Sequence, residues 1–317
     1  MPISISMLTQ ASFSAKVRWR MKYQRNPLFV ILQDKYKVRE YTHSKGVRTA
    51  ELLFVTDQPE DIPFAELPPR YMIKANHGCG WNILCYDSRF YLFGDGKKLV
   101  NEDGSFLNES NADSCQLSEA AVLEKCKKWL SSKHNEAEWA YQQIPPKIIV
   151  EKLLFSRDNQ PLYDYRFYTF EGVVKAINMG SPLFRKHTKN IFFDAEWNEF
   201  PLTRYMEARP DQIPKMPDCL PEMLGLAKKL GEGIDFVRID LYDTCDGIVL
   251  GEITIYPNGG TPLAPTACPV FNKWLGDQWV LSAADTRKAI LFNIGFSLRT
   301  FPKNTIRRIR YNLRNSA

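Results

Sequence analysis

The chain has no Cys-x-x-Cys pair. Its cysteines number seven, odd and scattered, which argues against a zinc ribbon or a disulfide framework and favours a reducing compartment. No stretch reaches the roughly 18 apolar residues of a membrane-spanning helix. The N-terminus lacks the apolar core and cleavage pattern of a secretory leader, so the expected address is cytoplasmic. Internal repeats and low-complexity segments are missing. So is the Gly-x-x-x-x-Gly-Lys-Ser/Thr of a Walker loop, and no glycine-rich turn opens a helix as a Rossmann fingerprint does. Basic residues are spread along the chain, and no reader motif for nucleic acid is present, so a nucleic-acid binder ranks last.

What is present is a soluble globular composition. Hydrophobic residues make up 44% and charged residues 25% of 317 positions, enough for two domains with a sizeable core. The net charge of +6 suits a polyanionic ligand such as a nucleotide or an acidic sugar.

Residues 1–33 read as a basic helical segment, with Lys16, Arg18, Arg20, Lys22 and Arg25 among Val17, Trp19, Met21 and Tyr23. It is either a solvated helix packing its aromatics inward or a contact for an anionic membrane or glycan. Asp34 is expected to cap a helix with Val38 and Tyr41 facing inward, ended by Gly46. Leu52 to Val55 and Tyr71 to Ala75 read as strands. The latter leads into Asn76-His77-Gly78-Cys79-Gly80 and a returning strand, Trp81 to Tyr86. A small-residue loop between strands lets backbone N–H groups approach phosphate oxygens, with Lys74 just before it. The same loop also fits a plain hairpin turn.

Leu117 to Leu130 is an amphipathic helix pattern, and a second short helix is expected from His134 to Tyr141. Lys147 to Leu154 is an apolar strand that turns polar at its end, suited to a hinge whose backbone groups hold an adenine edge. Asp164 and Arg166 share one strand face by the period of two. They read as a ribose-binding acid and a phosphate clamp, or as a surface ion pair. Arg185, Lys186, His187 and Lys189 cluster in a loop that is either a lid or merely mobile. Pro221 to Gly231 reads as a helix. Residues 285–317 read as closing helices, the last of them basic and amphipathic, for solvent or for a membrane surface.

Phe236 to Gly260 is the stretch around which the rest is organised. It reads as a hairpin with Arg238 and Asp240 on one strand and Glu252 and Thr254 on the other. Two carboxylates side by side repel unless a cation lies between them. Hard oxygen ligands of this kind suit Mg²⁺, whose shell phosphates and water complete. An ordinary surface hairpin with solvated charges is the alternative.

The order of these pieces resembles the ATP-grasp superfamily. Asp-Lys-Tyr-x-Val-Arg-Glu-Tyr (34–41), Lys-x-Asn-His-Gly-x-Gly (74–80), Asp-Tyr-Arg-Phe (164–167) and Val-Arg-Ile-Asp-Leu-Tyr (237–242) resemble its TupA-like branch, associated with teichuronopeptide and other surface-polysaccharide synthesis. The resemblance implies an α+β fold with two lobes of mainly antiparallel sheet enclosing the nucleotide. Residues 34–150 would form the small lobe and 151–284 the large lobe, flanked by basic segments 1–33 and 285–317. It implies ATP with Lys74, Asn76, His77, Gly78, Cys79 and Gly80 at the phosphates. Glu151, Lys152 and Leu153 would meet the adenine or phosphates, and Asp164 the ribose. Asp240, Glu252 and Thr254 would hold Mg²⁺. Related enzymes carry Glu-x-Asn where this chain has Glu252-x-Thr254, with Asn258 the alternative donor. Arg238 and Arg166 would steady the transferred phosphoryl group. The implied reaction joins a carboxylate to an amine through an acyl phosphate, with a uronic acid and an amino acid as the expected pair. His187, Asp194 and Glu196 are candidate bases. A kinase of the same fold and a non-catalytic nucleotide-binding protein are the rival readings.

Overall fold

The computed structural model of the chain describes residues 11–93, 116–156, 162–182, 191–200, 215–261 and 268–294. The chain opens with α1 (Phe13–Tyr23), α2 (Leu28–Gln33) and α3 (Val38–Ser44). Strands β1 (Arg48–Thr49), β2 (Leu52–Thr56), β3 (Arg70–Ala75), β4 (Asn82–Tyr86), β5 (Arg89–Phe93) and β6 (Gln116–Leu117) follow, then α4 (Glu119–Ser131) and β7 (Ile148–Lys152). Next come β8 (Tyr163–Phe170), β9 (Val173–Pro182), β10 (Ile191–Phe193), α5 (Leu220–Gly231), β11 (Val237–Thr244), β12 (Gly247–Thr254) and α6 (Pro269–Asp277). Two compact units result. One runs from Arg25 to Ile255, and the other combines Met1–Gln24 with Tyr256–Ala317.

Among the described residues, the Arg25–Ile255 unit contains two six-stranded sheets, in the orders β2-β7-β3-β4-β5-β6 and β1-β12-β11-β8-β9-β10. Every pairing among these described strands is antiparallel except β1 with β12. Alternation along β3 explains the first sheet. Tyr71, Ile73 and Ala75 point to one face and pack with Val122, Cys126 and Trp129 of α4, while Met72 and Lys74 point to the other. Ser118 caps α4, its hydroxyl accepting from the Ala121 N–H at 3.3 Å. The β8–β9 turn is Glu171-Gly172, both at positive φ (48° and 78°), the handedness that suits a two-residue hairpin.

Two expected helices differ. Asp34 does cap a turn, accepting from the N–H groups of Tyr36 (2.8 Å) and Lys37 (3.2 Å), but regular helix begins only at Val38. Residues 134–140 form bends and turns ahead of a 3-10 segment, Tyr141–Gln143. The run is short, and Pro145-Pro146 follows too closely for a stable helix.

The terminal unit overturns the expectation of a solvated basic helix. In α1, Lys16, Arg18 and Arg20 are buried along with the aromatics. Lys16 donates to the carbonyls of Gly276 (2.8 Å) and Trp279 (2.5 Å). Arg18 donates to the Gly260 carbonyl, and Arg20 stacks 4.2 Å over the Trp279 ring. These three cations are engaged inside the unit, whereas Lys22 and Arg25 of the same segment are exposed. Among the described residues no helix is long and apolar enough to span one. Residues 283–294 are helical; the basic stretch 305–314 and the Arg185–Lys189 cluster lie outside the described residues.

Candidate active site

A cleft of about 840 Å³, counting space open to solvent, separates the two sheets. Ala50, Met72, Leu153 and Leu154 supply its apolar wall, while Lys35, Lys74, Lys152, Tyr242 and Glu252 supply polar groups. Cys79 and Gly80 form part of its rim. The sequence-expected Lys74, Cys79, Gly80, Lys152, Leu153 and Glu252 therefore come together.

The second half of the expected site sits on one face of the β8–β11–β12 sheet. Asp240 lies directly opposite Glu252, and Arg238 opposite Thr254. On the other side of β11, Arg166 faces Asp240 and Tyr168 faces Arg238. Period-two alternation alone places Asp164, Arg166, Arg238, Asp240, Glu252 and Thr254 on that face. A register shift between Asp240 and Leu241 makes Gly251 the extra residue of a bulge. A Cβ at Gly251 would meet the Tyr242 ring at 2.3 Å, so glycine lets the strand pass the ring where both line the cleft.

Charges on this face are matched. Arg238 Nε and NH2 donate to the two oxygens of Asp240 at 2.8 and 2.6 Å. The same NH2 donates to Thr254 Oγ1 at 3.0 Å and lies 3.7 Å from Glu252. Arg166 forks onto Asp164 Oδ2, at 2.7 Å from both Nε and NH2. Asp164 Oδ1 is buried with no hydrogen-bond partner among the described residues. Burial pushes the Asp240 carboxyl upward and Arg238 pulls it back. Burial would raise Glu252 too, but Lys35, Arg238 and Arg166 outweigh it and hold that carboxyl below its ordinary range.

Lys35 is the functional candidate that sequence reasoning missed, although it lies inside the quoted Asp-Lys-Tyr motif. Its ammonium donates to Glu252 Oε1 at 3.2 Å and to the Gly78 carbonyl at 2.7 Å, joining the glycine loop to the carboxylate. Those partners are 217 and 43 residues away, so no local pattern could reveal them.

The structure places the remaining expected residues as follows. Asn76 is fully buried. Its amide donates to Asp34 (2.9 Å) and the Pro145 carbonyl (3.1 Å), and its oxygen accepts from the Lys147 N–H (2.7 Å). His77 lies between Asn76 Oδ1 and the Trp129 carbonyl, 3.0 Å from each. Both side chains face inward and pin the loop, so the phosphate contact expected of this segment is one for its backbone N–H groups. Gly78 is required by packing, since a Cβ there would meet the Trp81 ring at 2.6 Å. Glu151 lies in a central strand, between Leu52 and Met72 in the ladder, so its backbone is committed to the sheet. Its carboxylate ties Arg39 and Lys74, each at 2.7 Å. Leu153, past the strand end, is left for a hinge role. Lys152 is exposed, 3.6 Å from Asp246. Asp164 pairs with Arg166 and is not among the residues lining the Leu153 cleft.

Among the described residues no three His, Cys, Asp or Glu side chains gather as a metal cage. The donor set is two opposed carboxylates, Asp240 and Glu252, which fits Mg²⁺ in the mode where phosphates and water complete the shell. Thr254 Oγ1 is engaged by Arg238, and Asn258 belongs to the terminal unit, in a left-handed turn with φ 54°. Asp194 accepts from the N–H groups of Glu196 (3.0 Å) and Asn198 (2.8 Å), which makes it a turn former.

Residues 15–280 match the family model described as TupA-like ATPgrasp. No curated protein matches the chain. Among solved structures, D-alanine–D-alanine ligase from Bacillus anthracis complexed with ATP is similar at 15% identity and a TM-score of 0.42, covering 81% of this chain and 66% of that one. N5-carboxyaminoimidazole synthetase from Staphylococcus aureus complexed with ADP is similar at 12% identity and 0.38, covering 72% and 45%. L-amino acid ligase from Bacillus licheniformis is similar at 13% and 0.38, covering 72% and 44%. The chain thus spans less than half the length of the latter two proteins.

Proposed function

We propose, because this chain belongs to the TupA-like ATP-grasp family, that it is an ATP- and Mg²⁺-dependent carboxylate–amine ligase. The carrying observation is the cross-strand pair Asp240–Glu252, set among Arg166, Arg238 and Lys35 at one end of a cleft whose other wall is apolar.

The chemistry of the cleft supports a nucleotide bound with its base against Ala50, Met72, Leu153 and Leu154. Lys35 and Lys74 would then meet the phosphates, their present carboxylate partners, Glu252 and Glu151, acting as counter-ions that keep both ammonium groups oriented. Asp240 and Glu252 would hold Mg²⁺, which supplies charge neutralisation at the phosphates when bound. Arg238 and Arg166 would steady the transferred phosphoryl group, since phosphoryl transfer asks for positioning and charge stabilisation more than for a protein nucleophile. The substrate carboxylate attacks the terminal phosphate, giving an acyl phosphate and ADP. The amine then displaces phosphate. A uronic acid on a surface-polysaccharide precursor is our reading of the acid, and an amino acid our reading of the amine, with the work done on the cytoplasmic side. The net positive charge is compatible with such an acidic partner.

The test supplies purified protein and Mg-ATP with a panel of nucleotide-linked uronic acids and the amino acids, read by mass spectrometry. The expected product has the summed mass of acid and amine less water, and free phosphate appears only when both are present. A product that retains phosphate would replace the ligase reading with a kinase.

A further inference from the structure

Lys35 joins two parts of the site through one ammonium group. It donates to the Gly78 carbonyl of the glycine loop at 2.7 Å and to Glu252 Oε1 on β12 at 3.2 Å. Its backbone is held separately. The Lys35 N–H donates to the Asn76 carbonyl at 3.1 Å, and Asn76 Nδ2 donates to Asp34 at 2.9 Å. The main chain at Lys35 therefore stays on the glycine loop whichever acceptor the ammonium takes.

A further acceptor stands close by. A chamber of about 390 Å³, counting space open to solvent, adjoins the cleft and shares Lys35, Lys74, Gly251 and Glu252 with it. Gln33 also lines this chamber and is 3% exposed. Its Nε2 donates to the Ile253 carbonyl at 2.6 Å, which fixes the orientation of the amide, because a carbonyl only accepts. Gln33 Oε1 is buried with no hydrogen-bond partner among the described residues. The chamber's other cations, Arg39 and Lys74, are tied to Glu151.

The charges show what a second acceptor is for. Asp164, Asp240 and Glu252 face Arg166, Arg238 and Lys35 one for one. While Lys35 stays on Glu252, the set has little attraction for another cation. A divalent ion at the Asp240–Glu252 pair would lie against the Lys35 ammonium, and like charges that close repel strongly where water is scarce. A nucleotide changes the balance, since its phosphate oxygens offer the ammonium new partners.

We propose that Lys35 makes the site select the metal–nucleotide complex over the free metal ion. Without nucleotide its ammonium occupies Glu252. With nucleotide it turns to the phosphate oxygens and Gln33 Oε1, leaving Glu252 for the divalent cation. This rests on the ligase reading, which puts Mg²⁺ at Asp240 and Glu252. Lys35 thus favours the nucleotide and opposes the bare metal, two effects of opposite sign from one side chain.

Mn²⁺ binding, followed by loss of the free ion's electron paramagnetic resonance signal, separates them. In nucleotide-free protein, Lys35→Met is expected to bind Mn²⁺ at least about 10-fold more tightly than wild type, while Lys35→Arg, which keeps the charge, stays within about threefold of it. Adding Glu252→Gln to Lys35→Met is expected to abolish the gain. Equal or weaker Mn²⁺ binding by Lys35→Met overturns the proposal, and so does a gain that survives Glu252→Gln. Gln33→Met is expected to weaken Mn-ADP binding by about 3- to 10-fold and to leave metal-free ADP binding as in wild type. Unchanged Mn-ADP affinity, or an equal loss with and without metal, overturns the part given to Gln33. A crystal structure of the wild-type protein with Mn²⁺ and ADP needs no variant. It is expected to show Lys35 Nζ more than about 4 Å from Glu252, beyond ion-pair range, and within hydrogen-bond reach of Gln33 Oε1. An intact Lys35–Glu252 pair with Mn²⁺ bound overturns the proposal while leaving the ligase reading in place. Failure of the wild-type protein to bind Mn²⁺ with ADP, beyond what ADP chelates in solution, overturns the ligase reading itself.

Discussion

At the level of single residues the site is an exercise in charge balance. Asp164, Asp240 and Glu252 are answered by Arg166, Arg238 and Lys35. Taking one member from a buried set strands its partner, which costs about 3–5 kcal/mol. Arg238→Ala removes both hydrogen bonds from Asp240 and is therefore expected to lower unfolding free energy by about that amount, read by urea denaturation. Asp240→Asn in the same chain should recover part of the loss, and simple additivity of the two changes would contradict the pairing. In protein that remains folded, turnover should drop by about 10²- to 10³-fold, the usual loss for one preorganised donor. Lys35→Met has a different signature. Its partners are the cleft rim and Glu252, so Mg-ATP affinity measured by calorimetry should weaken by about 10- to 100-fold, the worth of one charge-assisted hydrogen bond. Unchanged affinity would leave Lys35 as a structural tie between the loop and the sheet.

Among the elements, strands were legible in the sequence and their partnerships were not. Alternation marked Arg238, Asp240, Glu252 and Thr254 as one face of a hairpin, and the ladder puts Asp240 opposite Glu252. Alternation is a local signal, set by which side chains point the same way. The bulge at Gly251 is local too, but it answers to the Tyr242 ring across the ladder. The glycine loop shows the limit more sharply. Its small residues suggested phosphate contact, yet Asn76 and His77 turn inward because Asp34, Lys147 and Trp129 meet them there. The basic pattern of α1 misled for the same reason, since nothing local announces that Gly276 and Trp279 will accept from Lys16. Close helix-on-sheet packing gives an element-scale prediction. A Cβ at Gly231, at the end of α5, would meet Thr169 Cγ2 of β8 at 2.6 Å. Gly231→Ala should cost about 1–3 kcal/mol by overpacking. Thr169→Ser deletes the clashing methyl, so adding it should restore part of the stability that Gly231→Ala loses. Purely additive losses in urea melts would show that α5 shifts away from the sheet instead.

For the molecule as a whole, the buried ionisable groups set how stability depends on pH, and Glu138 has the clearest sign. Its carboxyl rises from 4.5 to about 7 on folding, chiefly through burial. The folded chain therefore holds a proton that the unfolded chain has released, and stability falls as pH rises between those values. Below about pH 4.5 both states are protonated and the group is silent; above about pH 7 both are ionised and the full loss is in place. The span corresponds to about 3 kcal/mol at 1.36 kcal/mol per unit. Glu252 works the other way, because Lys35, Arg238 and Arg166 hold it low against its own burial, so its contribution is present above the ordinary glutamate range and is lost on acidification. The two effects separate cleanly by mutation. Glu138→Gln keeps the shape and removes the titration. Urea melts between pH 5 and 8 should therefore show wild-type stability declining relative to Glu138→Gln, with the variant more stable by about 2–3 kcal/mol at pH 8 and the gap closing toward pH 5. A gap that stays constant across that range would mean that the folded chain holds no extra proton at Glu138.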